Sequence, residues 1–101
     1  MTEPVLNVLS ALAEPTRLRI VRLLAAGGEL CACELMPRLG VSQSRISRHM
    51  AMLKNAGLVV DRRDRQWVRF RLNPDMPPEI RAVLDAVLAA VRTTQKTEEP
   101  A

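Results

Sequence analysis

Apolar residues recur at intervals of three and four along most of the chain and at intervals of two in one stretch, and this contrast divides it into elements. Val5, Leu6, Val8, Leu9 and Leu12 fit one face of a short helix running to Ala13. Pro15 suits the first position of a second helix, with the stripe Leu18, Val21, Leu24 and Ala25 and an end at Gly27-Gly28. Glu29-Leu30 makes a short extended link. Cys31 then stands where an N-cap would be, with Glu34 in the reciprocal capping position, and this third helix runs to Leu39 and closes at Gly40. Pro37 cannot donate to the Cys33 carbonyl and crowds it, so the first two turns are expected to be kinked or loosely held.

Ser42 caps a fourth helix that buries Ile46, Met50 and Leu53 and ends at Ala56-Gly57. Two helices joined by a turn at Gly40, the second rich in Gln, Ser and Arg, form a helix-turn-helix pattern. Leu58-Val59-Val60 and Trp67 to Leu72 are expected as two strands around Arg62-Arg63-Asp64-Arg65. The second alternates strictly, with Val68, Phe70 and Leu72 on one face and Trp67, Arg69 and Arg71 on the other. A hairpin directly after the recognition helix is a wing. Pro77-Pro78 breaks the chain before a last helix with Ile80, Val83, Leu84, Val87, Leu88 and Val91 on one stripe. The expected fold is therefore mostly α with a small β-hairpin wing, a winged helix-turn-helix over residues 1–92, followed by a disordered polar tail over 93–101.

At 101 residues the chain makes one domain, and 48% hydrophobic with 2% aromatic residues favours helices over a sandwich or barrel. So small a core gains from association. The last stripe serves either ordinary core packing or a two-fold pairing with the first helix, which makes Val5, Leu6, Leu9, Val83, Leu84, Val87 and Leu88 the candidate interface of a homodimer. No apolar run reaches membrane-spanning length and the start lacks the basic residues of a signal peptide, so a cytoplasmic protein is expected.

The net charge of +4 is unevenly spread. Residues 1–40 balance, whereas 41–75 hold eight basic against three acidic residues. That surplus is the footprint of a phosphate-backbone binder. Gln43, Ser44, Arg45, Ser47, Arg48 and His49 lie at the start of the recognition helix, where Arg suits guanine and Gln suits adenine in a major groove. Ser42, Ser44 and Ser47 can hold phosphates, while Arg62, Arg63 and Arg65, expected at the wing tip, follow the backbone or the minor groove. A dimer would read double-stranded operator DNA as an inverted repeat with half-sites about 34–36 Å apart. His49 is expected as a surface or phosphate contact, and Trp67 as a cover for the hairpin and its Arg stems.

Cys31 and Cys33 are the chain's two thiols. In a reducing compartment such a pair suits a metal or redox site better than a structural disulfide. Thiolates select soft cations and thiophilic metalloids. Residues two apart on a regular helix point to opposite faces, so both sulfurs can grip one ion only if the turn unwinds or Cys31 stays outside it. A disulfide across one residue, with oxidation sensing, and a plain capping and packing role are the alternatives. Four-ligand zinc is poorly served by Cys31, Cys33 and His49.

Leu12-Ala13-Glu14-Pro15-Thr16-Arg17-Leu18-Arg19-Ile20, Glu29-Leu30-Cys31-Ala32-Cys33-Glu34-Leu35, Val41 to Met50, and Ala56-Gly57-Leu58-Val59 followed by Trp67-Val68 resemble the ArsR/SmtB family of winged-helix metalloregulatory repressors, from Val5 to about Arg92. The resemblance implies a homodimeric repressor that leaves its operator when an inducer binds. The Cys-Ala-Cys stretch is similar to that of arsenic and antimony sensors, implying trivalent arsenic, as arsenite or methylarsenite, on Cys31 and Cys33. Arsenic repressors of the best-known type carry a third cysteine where this chain has Met36, so two thiols with an oxygen, an external thiol or a carbon substituent would complete the site. A cadmium- or lead-responsive repressor, a thiol-redox repressor and a protein-interaction winged helix remain alternatives. An enzyme is not expected, since no carboxylate pair, nucleophile-base set or phosphate loop occurs.

Overall fold

The computed structural model describes residues 3–98, with side chains described from Pro4 to Arg92. Its elements are α1 (Glu3–Leu12), α2 (Pro15–Gly27), β1 (Leu30–Cys31), α3 (Ala32–Leu39), α4 (Gln43–Asn55), β2 (Val59–Asp64), β3 (Trp67–Leu72) and α5 (Pro78–Glu98). The expected helix-turn-helix is α3–α4 and the expected wing is β2–β3. The wing is larger than a hairpin, however, because β1 adds to its edge in the order β1-β3-β2, all antiparallel. Leu30 pairs with Phe70 and Cys31 with Arg69, so the link expected at Glu29-Leu30 ends in a strand. Leu30 and Phe70 are both buried, and their packing explains the added strand.

Local chemistry sets the helix ends. Glu14 caps α2 by accepting from the Arg17 N–H at 2.8 Å, and Pro15 follows in the first turn. Ser42 Oγ accepts from the Arg45 N–H at the start of α4. Gly40 ends α3 with φ 67°, its N–H reaching the Met36 carbonyl at 2.8 Å, a left-handed cap that glycine adopts without steric cost. Pro37 lies inside α3, and the chain is helical on both sides of it from Ala32 to Leu39. The helix has only eight residues, so a proline near its end disturbs little beyond the Cys33 carbonyl.

One core serves every element: Val8, Ile20, Leu24, Leu35, Ile46, Met50, Leu53, Leu58, Phe70 and Leu84 are all buried. Ile20 rather than Ala25 completes the buried stripe of α2, since Ala25 is exposed. The apolar residues of α1 do not share one face. Val8, Ala11 and Leu12 point inward, while Leu6 and Leu9 are 55% and 45% exposed. Leu84, counted with the candidate dimer interface, is fully buried in the protomer's own core and offers no surface to a partner. Val5, Val83, Val87 and Leu88 are half-buried beside it. The tail expected over 93–101 falls partly on α5, whose backbone is helical through Glu98, and otherwise outside the described residues. Among the described residues no helix is long and apolar enough to cross a membrane.

Candidate DNA-reading surface and thiol site

Helix α4 buries Ile46, Met50 and Leu53, a spacing that turns Gln43, Ser44, Arg45, Ser47 and Arg48 outward together. All five are exposed, as is the cap residue Ser42, so they form one continuous polar surface at the positive end of the helix. The Ser42 and Ser44 hydroxyls lie 3.2 Å apart.

His49 departs from the expected surface position. It is half-buried, with Nδ1 3.3 Å from Arg17 Nη1. A guanidinium can only donate, so Nδ1 accepts and the ring proton sits on Nε2. Arg17 also donates from Nε to the Ala11 carbonyl at 2.7 Å, tying α4 to the α1–α2 corner. Desolvation pushes the His49 pKa below 6.5, against the Glu14 charge and with help from Arg17, Arg45 and Arg48. Burial by itself would raise the Glu14 carboxyl, but hydrogen bonds from the Arg17 and Thr16 N–H groups and the nearby positive charges outweigh it and hold it below 4.5.

The wing arginines separate. β2 extends through Asp64, so Arg62 and Arg63 are strand residues and the turn is Arg65-Gln66. The strand outlasts its apolar start because the whole of 59–64 pairs with 67–72. Arg65 alone of the three lies at the tip, with φ 61° as a two-residue turn of this kind requires. Arg62 is held by Glu29 through two hydrogen bonds of 2.8 Å from Nε and Nη2. Arg63 is exposed opposite Val68.

Cys31 closes β1 and caps α3 in extended conformation, with φ −88° and ψ 164°, so it stays outside the helix. Its Cα lies 5.2 Å from that of Cys33, and the two sulfurs are joined in a disulfide. Of the two expected routes to convergence, an unwound turn or a Cys31 that stays outside the helix, the structure takes the second. Glu34 Oε1 accepts from the Cys31 N–H at 2.9 Å and fixes that cap. Arg69 anchors the wing nearby, 3.0 Å from Asp64 and 3.9 Å from Glu34. Cys31 is buried and Cys33 exposed, so a reagent arriving from solvent meets Cys33 first. Among the described residues no group of three or more His, Cys, Asp or Glu gathers to hold a metal ion.

The thiol pair also borders a cleft that the sequence pattern does not foretell. Cys33 opens onto a cleft of about 370 Å³ between α3, α4 and the wing, walled by Met36, Met50, Trp67, Val68 and Phe70, with Gln43 and Ser47 also in its lining. Trp67 therefore does more than cover the hairpin. Its outward place in the β3 alternation was visible, but that it lines the same cleft as Cys33 depends on tertiary packing.

Residues 14–60 match the family described as "Bacterial regulatory protein, arsR family". The chain is 47% identical over 90 residues to the arsenic resistance transcriptional regulator ArsR1 of Pseudomonas putida, covering 89% of this chain and 69% of that one. It is 44% identical over 80 residues to the arsenical resistance operon repressor of Escherichia coli, covering 79% and 68%. Among solved structures, HlyU from Vibrio cholerae aligns with a TM-score of 0.72 at 34% identity, covering 85% of this chain and 89% of that chain.

Proposed function

Because the chain belongs to the arsR family of bacterial regulatory proteins, we propose that it is a homodimeric repressor whose operator complex dissociates when trivalent arsenic or antimony binds Cys31 and Cys33. The observation that carries this reading is the convergence of the two sulfurs at the start of α3. Two thiols that already meet can hold one soft atom between them without rebuilding the fold. The relatives named for arsenic resistance support the choice of inducer. Positive charge and exposed Gln, Ser and Arg on α4 support operator DNA as the partner, and the exposed Leu6 and Leu9 support a second copy covering α1.

The site lies where it can act on both DNA-reading elements. Cys31 pairs with Arg69 of β3 in the wing, and Cys33 lies on α3, which packs against α4. An atom held between the sulfurs sets their separation, and with it the seating of the wing against the recognition helix. DNA release follows if that seating suits DNA less well than the unloaded one does, which is the differential affinity that any allosteric inducer needs.

Fluorescence anisotropy of the labelled promoter of the protein's own gene, bound by reduced protein, tests this reading. The titrants are arsenite, methylarsenite, antimonite, cadmium, lead and peroxide. Release by the trivalent metalloids is the expected result, and unchanged anisotropy with both thiols verifiably loaded sinks it. The Cys31–Cys33 bond favours one second reading, release on oxidation by a thiol switch. Peroxide alone would then free the DNA.

A further inference from the structure

Trivalent arsenic forms three bonds, and the site offers two thiols. The residue one turn beyond Cys33 is Met36, which brings a neutral thioether to the same cleft. The cleft open to a third substituent at Cys33 is lined by the carbon and sulfur of Met36, Met50, Trp67, Val68 and Phe70, together with the polar Gln43, Ser47, Lys54, Asp61 and Gln66. A hydroxyl there would lose hydration against mostly apolar surface, whereas a hydrocarbon group would be removed from water by it. At about 370 Å³ the cleft lies within the range of about 300–1,000 Å³ usual for small-molecule sites.

We propose that this cleft receives the aromatic substituent of a trivalent arylarsenical held by Cys31 and Cys33, with Trp67 setting the preference for aryl over inorganic arsenic. The inference rests on the thiol pair being the arsenical site. The disulfide is first reduced by two equivalents of a small thiol, which leave as their own disulfide. The two protein thiols then displace both hydroxyls of R–As(OH)2. Two As–O bonds break, two S–As bonds form and two waters depart with the thiol protons, while arsenic stays trivalent and the As–C bond is untouched.

The position also links occupancy to DNA. Gln43 and Ser47 of the recognition helix and Gln66 and Trp67 at the wing all line the cleft. An aromatic ring there touches both elements that meet the duplex, whereas arsenite reaches them only through the thiols.

Trp67 is the chain's one tryptophan, and tyrosine is absent, so its emission reports occupancy directly. The full chain, reduced by excess thiol and desalted without oxygen, is titrated with phenylarsonous acid and with arsenite while Trp67 emission and free thiols are followed. The phenyl compound should consume both thiols at one equivalent, shift Trp67 emission and bind roughly tenfold or more tightly than arsenite. Ala51→Leu, from an exposed position on α4 that lines the cleft, should remove that advantage and leave arsenite affinity unchanged. Trp67→Ala, followed by thiol loss, should do the same. Equal affinity for the two arsenicals in the parent chain overturns the cleft assignment, as does a ratio unmoved by both variants, and neither result touches the thiol-pair reading. Thiols that react with neither compound overturn both.

Discussion

Arg17 and His49 meet with Nη1 3.3 Å from Nδ1, and this contact fastens the recognition helix to the corner of α1 and α2. The donor is fixed by chemistry, since arginine has no acceptor, so the contact holds only while Nδ1 is unprotonated. His49 thus serves the seating of α4.

That contact makes stability depend on pH. The folded His49 pKa lies below 6.5, chiefly through desolvation. Above 6.5 neither state is charged at this residue, and as pH falls through 6.5 toward the lower folded value the unfolded chain binds the proton first. Stability is therefore lost on acidification in this window. The Glu14 contribution is lost only below 4.5, so it does not interfere at pH 5 or above. Urea unfolding of the parent and His49→Gln between pH 7.5 and 5 should show the parent's advantage shrinking as pH falls. A difference flat across that range would refute the assignment.

The two cysteines should divide stability from sensing. Under reducing conditions Cys31→Ser places a hydroxyl at a site only 3% exposed and should cost about 1 kcal/mol. Cys33→Ser, at the surface, should stay within about 0.5 kcal/mol of the parent. Both should keep DNA affinity and lose release by arsenite, measured by promoter anisotropy.

The wing arginines should separate by salt dependence. Arg65→Ala removes a free charge at the tip and should reduce the slope of log affinity against log salt by about 1. Arg62→Ala should change the slope little, because Glu29 already holds that guanidinium. Equal slopes for the two variants would show that Arg62 leaves Glu29 for the phosphate backbone. Arg65→Gly should fold at least as well as the parent, given the positive φ at that turn.

Apolar residues of α5 and α1 should fall into two groups. Leu84→Ala should cost about 2–5 kcal/mol in urea unfolding, since it empties a fully buried core site. Leu9→Glu should leave the helical content intact and shift sedimentation toward the monomer, because Leu9 is exposed in the protomer. A Leu9→Glu protein that sediments as the parent does would remove α1 from the interface.

Much of the fold was legible because the signals act over a few residues. The Ser42 cap, Pro15 opening α2, the left-handed Gly40 and the buried set Ile46, Met50 and Leu53 each follow from hydrogen bonds or periodicity within about four positions. The exposed polar face of α4 came with them, and so did Cys31 at the N-cap, because a capping box is itself a local pattern.

Contacts between distant segments were decided only by tertiary packing. Whether Leu30-Cys31 pairs with Phe70 and Arg69 depends on how the core seats Leu30 and Phe70, residues no local rule connects. The same packing sets Trp67 and Cys33 in the lining of one cleft and places Arg62 on Glu29 and Arg17 on His49. The sequence by itself determined which residue types stand at the helix starts, the recognition face and the thiol pair, because backbone sterics and side-chain period act locally. Burial of one shared core determined which of those groups meet, because packing is settled by the whole chain at once.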